Sequence, residues 1–197
     1  FLNALQLMYI QWIQKKTSII DYCFNRGLSK QSMSTFGIGY ADSTDIQIKW
    51  LKNWHDSTAI TKCGLFKEDF YPLLSNRLIF PIHNPRGIIV GFSGRALDKE
   101  NKAKYINSPE SYIFSKKKIL YGMHIAKKKI KELNSIIIVE GFIDVITLHQ
   151  HGFENVVAVM GTALTANHVQ EIAKYCQTVQ LLFDSDKAGR QATLKSV

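Results

Sequence analysis

The order of apolar and polar residues divides the chain into two styles, and the change falls near Ser135. Upstream, short helical and strand patterns follow one another irregularly. Downstream, fully apolar runs alternate with helical patterns. We therefore predict an α/β protein with two subdomains: a mixed α+β part over residues 1–133 and a parallel α/β part over residues 134–197.

In the downstream part, strands are predicted over residues 136–139, 156–160 and 179–183. Helices are predicted over residues 142–150, from the N-cap Thr165 to Cys176, and from Ala188 onward. The strands are apolar on both faces and single helices connect them, which is typical of a parallel sheet.

The upstream part has clearer signals at a few places. A helix is predicted over residues 18–26, where it ends at Gly27, and Ser29 opens another helical turn. Residues 78–82 and 88–92 are predicted to form a hairpin, because the segment between them contains Asn, Pro and Gly.

Composition favours a folded protein with an anionic partner. Of the 197 residues, 46% are hydrophobic, which is enough for a packed core and excludes intrinsic disorder. The 25 Lys and Arg exceed the 16 Asp and Glu, and the resulting net charge of +9 favours a partner such as nucleic acid.

Two other classes of protein are disfavoured by the same inspection. No apolar run approaches the roughly 20 residues of a membrane-spanning helix, so we expect no membrane partner. The cysteines Cys23, Cys63 and Cys176 are far apart in the sequence, which predicts neither a zinc site nor a disulfide here and favours a reducing compartment.

Acidic residues follow two of the predicted strands. Glu140 follows the first strand, and Asp184 and Asp186 follow the third, so we expect all three at the carboxyl edge of the sheet. A divalent cation, most readily Mg²⁺, would neutralise their repulsion. Asp144, one helical turn after Glu140, would support that site. The structural alternative is that these acids are helix N-caps, first-turn residues or solvated turn residues.

Basic residues beside Gly, Tyr or Phe form a second group. Arg95, Lys104 and Lys116 have this setting, which suits cations that bind phosphates next to aromatic rings that stack on bases. Arg26 and Arg77 are candidates for the same surface. The alternative for each cation alone is a solvated surface charge.

Several motifs resemble known families. Residues 140–145 and 183–190 resemble the glutamate and Asp-x-Asp motifs of the Toprim domain, which alone leave topoisomerases, nucleases and recombination proteins open. Further segments resemble, in the same order, those of bacterial DnaG-type primases. They are residues 25–28, 36–40, 77–82, 91–95, 104–110, 114–116, 120–122, 148–152 and 161–165.

The resemblance implies an RNA polymerase domain that makes short RNA primers on a single-stranded DNA template from ribonucleoside triphosphates. It implies that Glu140, Asp184 and Asp186 are catalytic and bind Mg²⁺ or Mn²⁺. It also implies a template and nucleotide groove lined by Arg95, Lys104, Tyr105, Asn107 and Lys116. Two of these have structural alternatives, because Tyr105 also suits a core position and Asn107 a turn before Ser108 and Pro109.

Other expectations follow from the family. We expect an incomplete fragment: a zinc-binding module would precede it, a helicase-binding module would follow it, and a further strand with another acidic pair would lie beyond Val197. We expect work at a bacterial replisome in the cytoplasm, with an organelle as the alternative. The alternatives for function are an inactive module that binds single-stranded nucleic acid, and a Toprim topoisomerase or nuclease.

Overall fold

The computed structural model of the chain describes residues 1–54, 56–98, 101, 103–161, 163–185, 189–191 and 194. It divides into two compact units. Unit 1 contains Phe1–Ile82 and Ile89–Phe114, and unit 2 contains His83–Ile88 and Ser115–Val197. The predicted subdomain boundary lies between residues 133 and 134. The chain enters the second compact unit earlier, at Ser115, so that boundary stays a prediction.

Unit 1 is built on a four-stranded sheet with the strand order β1, β2, β3, β4. The strands of this sheet are β1 (Gly39–Ala41), β2 (Arg77–His83), β3 (Ile89–Ala96) and β4 (Tyr105–Asn107). The helices of the same part of the chain are α1 (Leu2–Gln14), α2 (Thr17–Asn25), α3 (Lys30–Thr35), α4 (Thr44–Leu51) and α5 (Ser57–Lys62).

The local signals in this part of the chain are confirmed. The side chain of Ser29 caps α3 by accepting a hydrogen bond from the amide of Ser32 at 3.1 Å. The predicted hairpin is present, because β2 and β3 are neighbours in the sheet and the amide of Asn84 donates to the carbonyl of Ile88 across the turn.

The core of unit 1 forms where α1 packs on the sheet. Leu5, Met8 and Tyr9 lie on one face of the helix at helical spacing and are almost fully buried. The ring of Tyr9 meets that of Phe92 on β3 edge to face, with 5.5 Å between centroids. A Cβ atom on Gly39 would lie 2.7 Å from Cβ of Tyr9, so α1 lies directly against β1.

Unit 2 is built on a parallel sheet, as predicted. Its strand order is β6, β5, β7, and the central strand runs parallel to both neighbours. The elements alternate along the chain in the order α6 (Met123–Leu133), β5 (Ser135–Val139), α7 (Phe142–Gln150), β6 (Val156–Ala158), α8 (Ala166–Ile172) and β7 (Thr178–Leu181).

Several ends of these elements differ from the prediction. Strand β6 ends at Ala158, although the amide of Val159 still donates to the carbonyl of Val139 on β5 and both Val159 and Met160 remain buried. Helix α8 ends at Ile172, and Cys176 reaches the core through the turn that follows. The predicted helix start at Ala188 lies outside the described residues. Across the described chain, no helix is long and apolar enough to cross a membrane.

Candidate functional site

An acidic pair lies at the carboxyl edge of the sheet in unit 2. Glu140 directly follows β5, and Asp184 lies just beyond β7, the parallel neighbour of β5. Because parallel neighbours end at the same sheet edge, these residues meet there. Oε1 of Glu140 accepts a hydrogen bond from the backbone amide of Asp184 at 3.1 Å. This bond orients the Glu140 carboxylate towards the segment after β7.

A groove of about 380 Å³ opens beside this pair. Asp144, from the first turn of α7, lines it together with Asp184 and Ser185. The chain returns closely past Glu140, since a Cβ on Gly189 would lie 2.8 Å from Oε1 of Glu140 and would collide with the carbonyl oxygen of Asp184. Glycine at this position therefore allows the tight approach.

The donors at this edge suit a hard cation by type. Glu140, Asp144 and Asp184 present carboxylate oxygens, which Mg²⁺ and Mn²⁺ prefer. Within the described residues, no group of three or more His, Cys, Asp or Glu side chains is arranged to hold a metal ion. Asp186, the remaining acid predicted at this edge, lies outside the described residues. The oxygen donors are thus of the type that a divalent ion prefers. Among the described residues they are not already arranged as a metal-binding site.

Lys116 belongs to unit 2 and is held through its backbone. Its carbonyl lies 3.1 Å from Nε2 of His168, while Nδ1 of the same ring accepts from the amide of Thr165. Thr165 in turn caps α8 by accepting from the amide of His168, as its predicted N-cap role requires. Burial lowers the pKa of His168, and its hydrogen bonds to the carbonyls of Lys116 and Ile119 act in the opposite direction. A neutral, buried imidazole therefore ties Lys116 to α8.

A basic groove of about 390 Å³ lies in unit 1. Three of the predicted nucleic-acid-binding cations line it: Arg26 from the end of α2, Arg95 from β3, and Lys104 from the segment before β4. Its other lining residues are Tyr22, Ala96, Leu97, Asp98 and Asn101.

Arg95 is the most buried of these cations, at 8% exposure. Its Nε donates to the hydroxyl of Tyr22 at 2.9 Å and its Nη1 donates to the hydroxyl of Tyr105 at 2.6 Å. Burial acts to lower the pKa of Arg95, but its interactions with Tyr105 and Tyr22 together outweigh burial and raise that pKa above its ordinary value.

Arg77 lies beneath the groove rather than on it. It is 5% exposed, and its guanidinium donates to the carbonyls of Gly94 and Ala103 and to Oδ1 of Asn101. Burial lowers the pKa of this guanidinium. Arg77 thus braces the segment that brings Lys104 to the groove.

The two remaining predicted residues lie on β4. Tyr105 pairs in register with Arg95, and Asn107 pairs in register with Ser93 two residues further from the groove. Both side chains are partly buried.

Two residues of these sites have no assignment in the sequence analysis. Tyr22 lies four residues before Arg26, a spacing that places both residues on one face of α2. That spacing is the feature of the sequence that could have indicated Tyr22 as a groove residue. His168 lies three residues after its N-cap Thr165, where a capping box is usually completed by Glu or Gln. Sequence alone does not indicate the distant partners of either residue.

Comparison with known proteins gives two family matches along the chain. Residues 8–127 match the family model of the DNA primase catalytic core, N-terminal domain, and residues 134–197 match the Toprim domain. The DNA primase of Legionella pneumophila is 40% identical over 206 residues, covering 100% of this chain and 36% of the relative. The DNA primase of Campylobacter jejuni is 35% identical over 203 residues, covering 99% of this chain and 33% of the relative.

Solved structures show the same similarity in three dimensions. The Aquifex aeolicus primase, described as zinc-binding and RNA polymerase domains, matches with a TM-score of 0.92 at 35% identity, covering 99% of this chain and 49% of that one. A DnaG primase catalytic domain bound to ssDNA matches with a TM-score of 0.88 at 34% identity, covering 98% of this chain and 63% of that one. The chain thus spans about a third of the length of the curated relatives described above.

Proposed function

This chain belongs to the family of bacterial DnaG-type DNA primases, and we propose that it carries the catalytic chemistry of RNA primer synthesis. The reaction is nucleotidyl transfer on a single-stranded DNA template. A 3′-hydroxyl attacks the α-phosphate of a ribonucleoside triphosphate, a new phosphodiester bond forms, and pyrophosphate leaves.

One observation carries the catalytic part of this proposal. The carboxylate of Glu140 and the chain at Asp184 are joined by a hydrogen bond at one edge of the sheet, within the segment that matches the Toprim domain. Acids brought together by neighbouring strands suit phosphoryl chemistry, because such transfer needs positioning and charge neutralisation more than covalent help.

The acidic residues have distinct proposed roles. Asp184 and Asp186 would hold Mg²⁺ or Mn²⁺, and such ions, when bound, supply positive charge to the attacking and leaving oxygens. Glu140 acts as a general acid or base or orients the bound ion, and the Asp184 amide holds its carboxylate in one direction. Asp144 lines the same groove and supports the site.

The basic groove has the role of binding nucleic acid or nucleotide. Arg26, Arg95 and Lys104 line it and are placed to bind phosphates. Tyr105 and Asn107 on β4 are further proposed contacts, and Arg77 contributes by bracing the segment before Lys104. Lys116, in unit 2, is proposed by itself as a phosphate contact.

The comparisons support particular partners. A relative of 34% identity has been solved bound to ssDNA, which supports a single-stranded DNA template here. Ribonucleoside triphosphates, the RNA primer and a replicative helicase are the further partners that primer synthesis implies. The relatives described above are bacterial, which favours the bacterial cytoplasm over an organelle as the place of this work. The match of residues 8–127 favours primer synthesis over a topoisomerase or nuclease.

The acidic edge is tested by Asp184→Asn in the longest open reading frame that contains this chain. We expect template-dependent RNA synthesis to fall by more than about 100-fold, because a neutral amide binds a divalent ion poorly. The fold, followed by circular dichroism, should be unchanged. Glu154→Gln, at an exposed acid of the same unit, is the matched control and should retain activity. Near-normal primer yield from Asp184→Asn at saturating Mg²⁺ would remove Asp184 from the site.

A further inference from the structure

Arg95 is a nearly buried cation held by two tyrosines. Its Nε and Nη1 donate to the hydroxyls of Tyr22 and Tyr105, and its guanidinium carbon lies 5.3 Å from the centroid of the Tyr105 ring. A guanidinium is planar and rigid, so hydrogen bonds at two of its nitrogens determine the direction of the whole group.

The two tyrosines reach Arg95 by different routes. Tyr105 is its register partner on the neighbouring strand, so the two side chains share one side of the sheet. Tyr22 comes from α2, 73 residues away in the sequence. The same helix face carries Arg26, and both side chains line the groove.

The charge of Arg95 has only neutral oxygens around it among its described partners. Arg95 takes part in none of the ion pairs that join Lys16 to Asp42, Lys129 to Glu132 and Lys174 to Glu171. The described lining of the groove contains one acid, Asp98, beside the three cations, so it keeps an excess of positive charge, and a phosphate there would add a counter-charge for Arg95. Two of the five guanidinium N–H groups are used by the tyrosines, which leaves the others to bind a phosphate.

We propose that Tyr22 is a positioning residue for this groove: it acts through Arg95, fixing the guanidinium so that its remaining N–H groups bind a phosphate of single-stranded nucleic acid. The inference rests on the proposed function of the groove. Holding Arg95 in advance lowers the ordering cost of binding, since a free arginine side chain must lose rotamer freedom at that moment.

The test measures the affinity of the 197-residue chain for fluorescein-labelled oligo(dT) by anisotropy over a range of salt concentrations. Tyr22→Phe removes one oxygen and keeps the ring. We expect its Kd to rise about 5-fold, with the slope of log K against log salt unchanged because no charge is lost. Arg95→Met should weaken binding and reduce that slope by about one.

Two further variants separate positioning from direct contact. Tyr22→Phe added to Arg95→Met should weaken binding no further, because Tyr22 acts only through Arg95. Tyr40→Phe is the matched control, since its hydroxyl donates to Asn76 in the same unit and Tyr40 does not line the groove. Its Kd should equal that of the wild type. Each variant is measured at a temperature where its near-ultraviolet circular dichroism matches that of the wild type.

The outcomes distinguish this inference from the proposed function. If Arg95→Met weakens binding while Tyr22→Phe does not, the groove stands and the role of Tyr22 is overturned. If Tyr22→Phe weakens binding equally with and without Arg95, Tyr22 contacts the nucleic acid itself and positioning is overturned. If neither variant changes Kd or slope, both the groove assignment and this inference fail.

Discussion

His124, in the first turn of α6, makes the stability of unit 2 sensitive to acid. Its ring stacks on that of His83 with 4.0 Å between centroids. Burial, His83, Lys127 and His149 together lower the pKa of His124 from 6.5 to about 3. Between pH 6.5 and pH 3, His124 therefore binds a proton in the unfolded chain but stays neutral in the folded chain. Stability is fully present above pH 6.5 and falls as the pH drops towards 3.

We expect the wild type to lose about 1 kcal/mol more stability than His124→Phe between pH 7 and pH 5, after allowance for the partial exposure of the ring. Phenylalanine retains the ring stack and removes the titration. Urea unfolding at both pH values measures the difference. His151→Phe, at an exposed histidine of the same unit, should behave as the wild type does. Equal pH dependence in wild type and His124→Phe would contradict the account.

Residue types alone indicated much of both sites, but not their internal contacts. The acids after β5 and β7 were predictable because parallel strands end at a common edge, and Glu140 and Asp184 do meet there. The contact of Tyr22 with Arg95 was not predictable, since it depends on how α2 packs on the sheet. Arg77 is of a residue type that often binds phosphate. Only the structure shows that its guanidinium donates hydrogen bonds to backbone carbonyls instead.

At the scale of elements, the contact between α1 and β1 organises unit 1. A Cβ on Gly39 would lie 2.7 Å from Cβ and 2.8 Å from the backbone carbon of Tyr9. We expect Gly39→Ala to lower the free energy of unfolding by about 2 kcal/mol, because helix and strand must separate to accept the methyl group. Chemical denaturation measures this loss.

A second glycine provides the control for that measurement. Gly27 has φ of +81° and no atom within 4 Å of a built Cβ, so Gly27→Ala adds backbone strain without a clash. Its cost should be about 1 kcal/mol. If Gly39→Ala costs no more than Gly27→Ala, close packing of α1 on β1 does not stabilise the unit.

Elements with strong local signals were predictable, and those that depend on packing were not. The parallel strands of unit 2 and the caps Ser29 and Thr165 have local causes, namely unbroken apolar runs and side-chain acceptors. Helix α1 has no capping side chain and no acid in its first turn, so its start carries no local signal. The short strands β1 and β4 are defined by their neighbours, because three residues have too little periodicity of their own.

At the scale of the whole molecule, the two candidate sites belong to different units. The basic groove is in unit 1, within the primase N-terminal match, and the acidic edge is in unit 2, within the Toprim match. The net charge of +9 suits a polyanionic partner. The proposed primer synthesis uses both sites, the basic groove for the template and the acidic edge for nucleotidyl transfer.

The most direct test is an assay of RNA synthesis. The gene product that contains this chain is incubated with a labelled single-stranded DNA of defined sequence, ribonucleoside triphosphates and Mg²⁺, and the products are sequenced. The account predicts short RNA complementary to the template, absent when template or Mg²⁺ is omitted, with the DNA left intact. Binding of the DNA without any RNA product, or cleavage of the DNA, would contradict it.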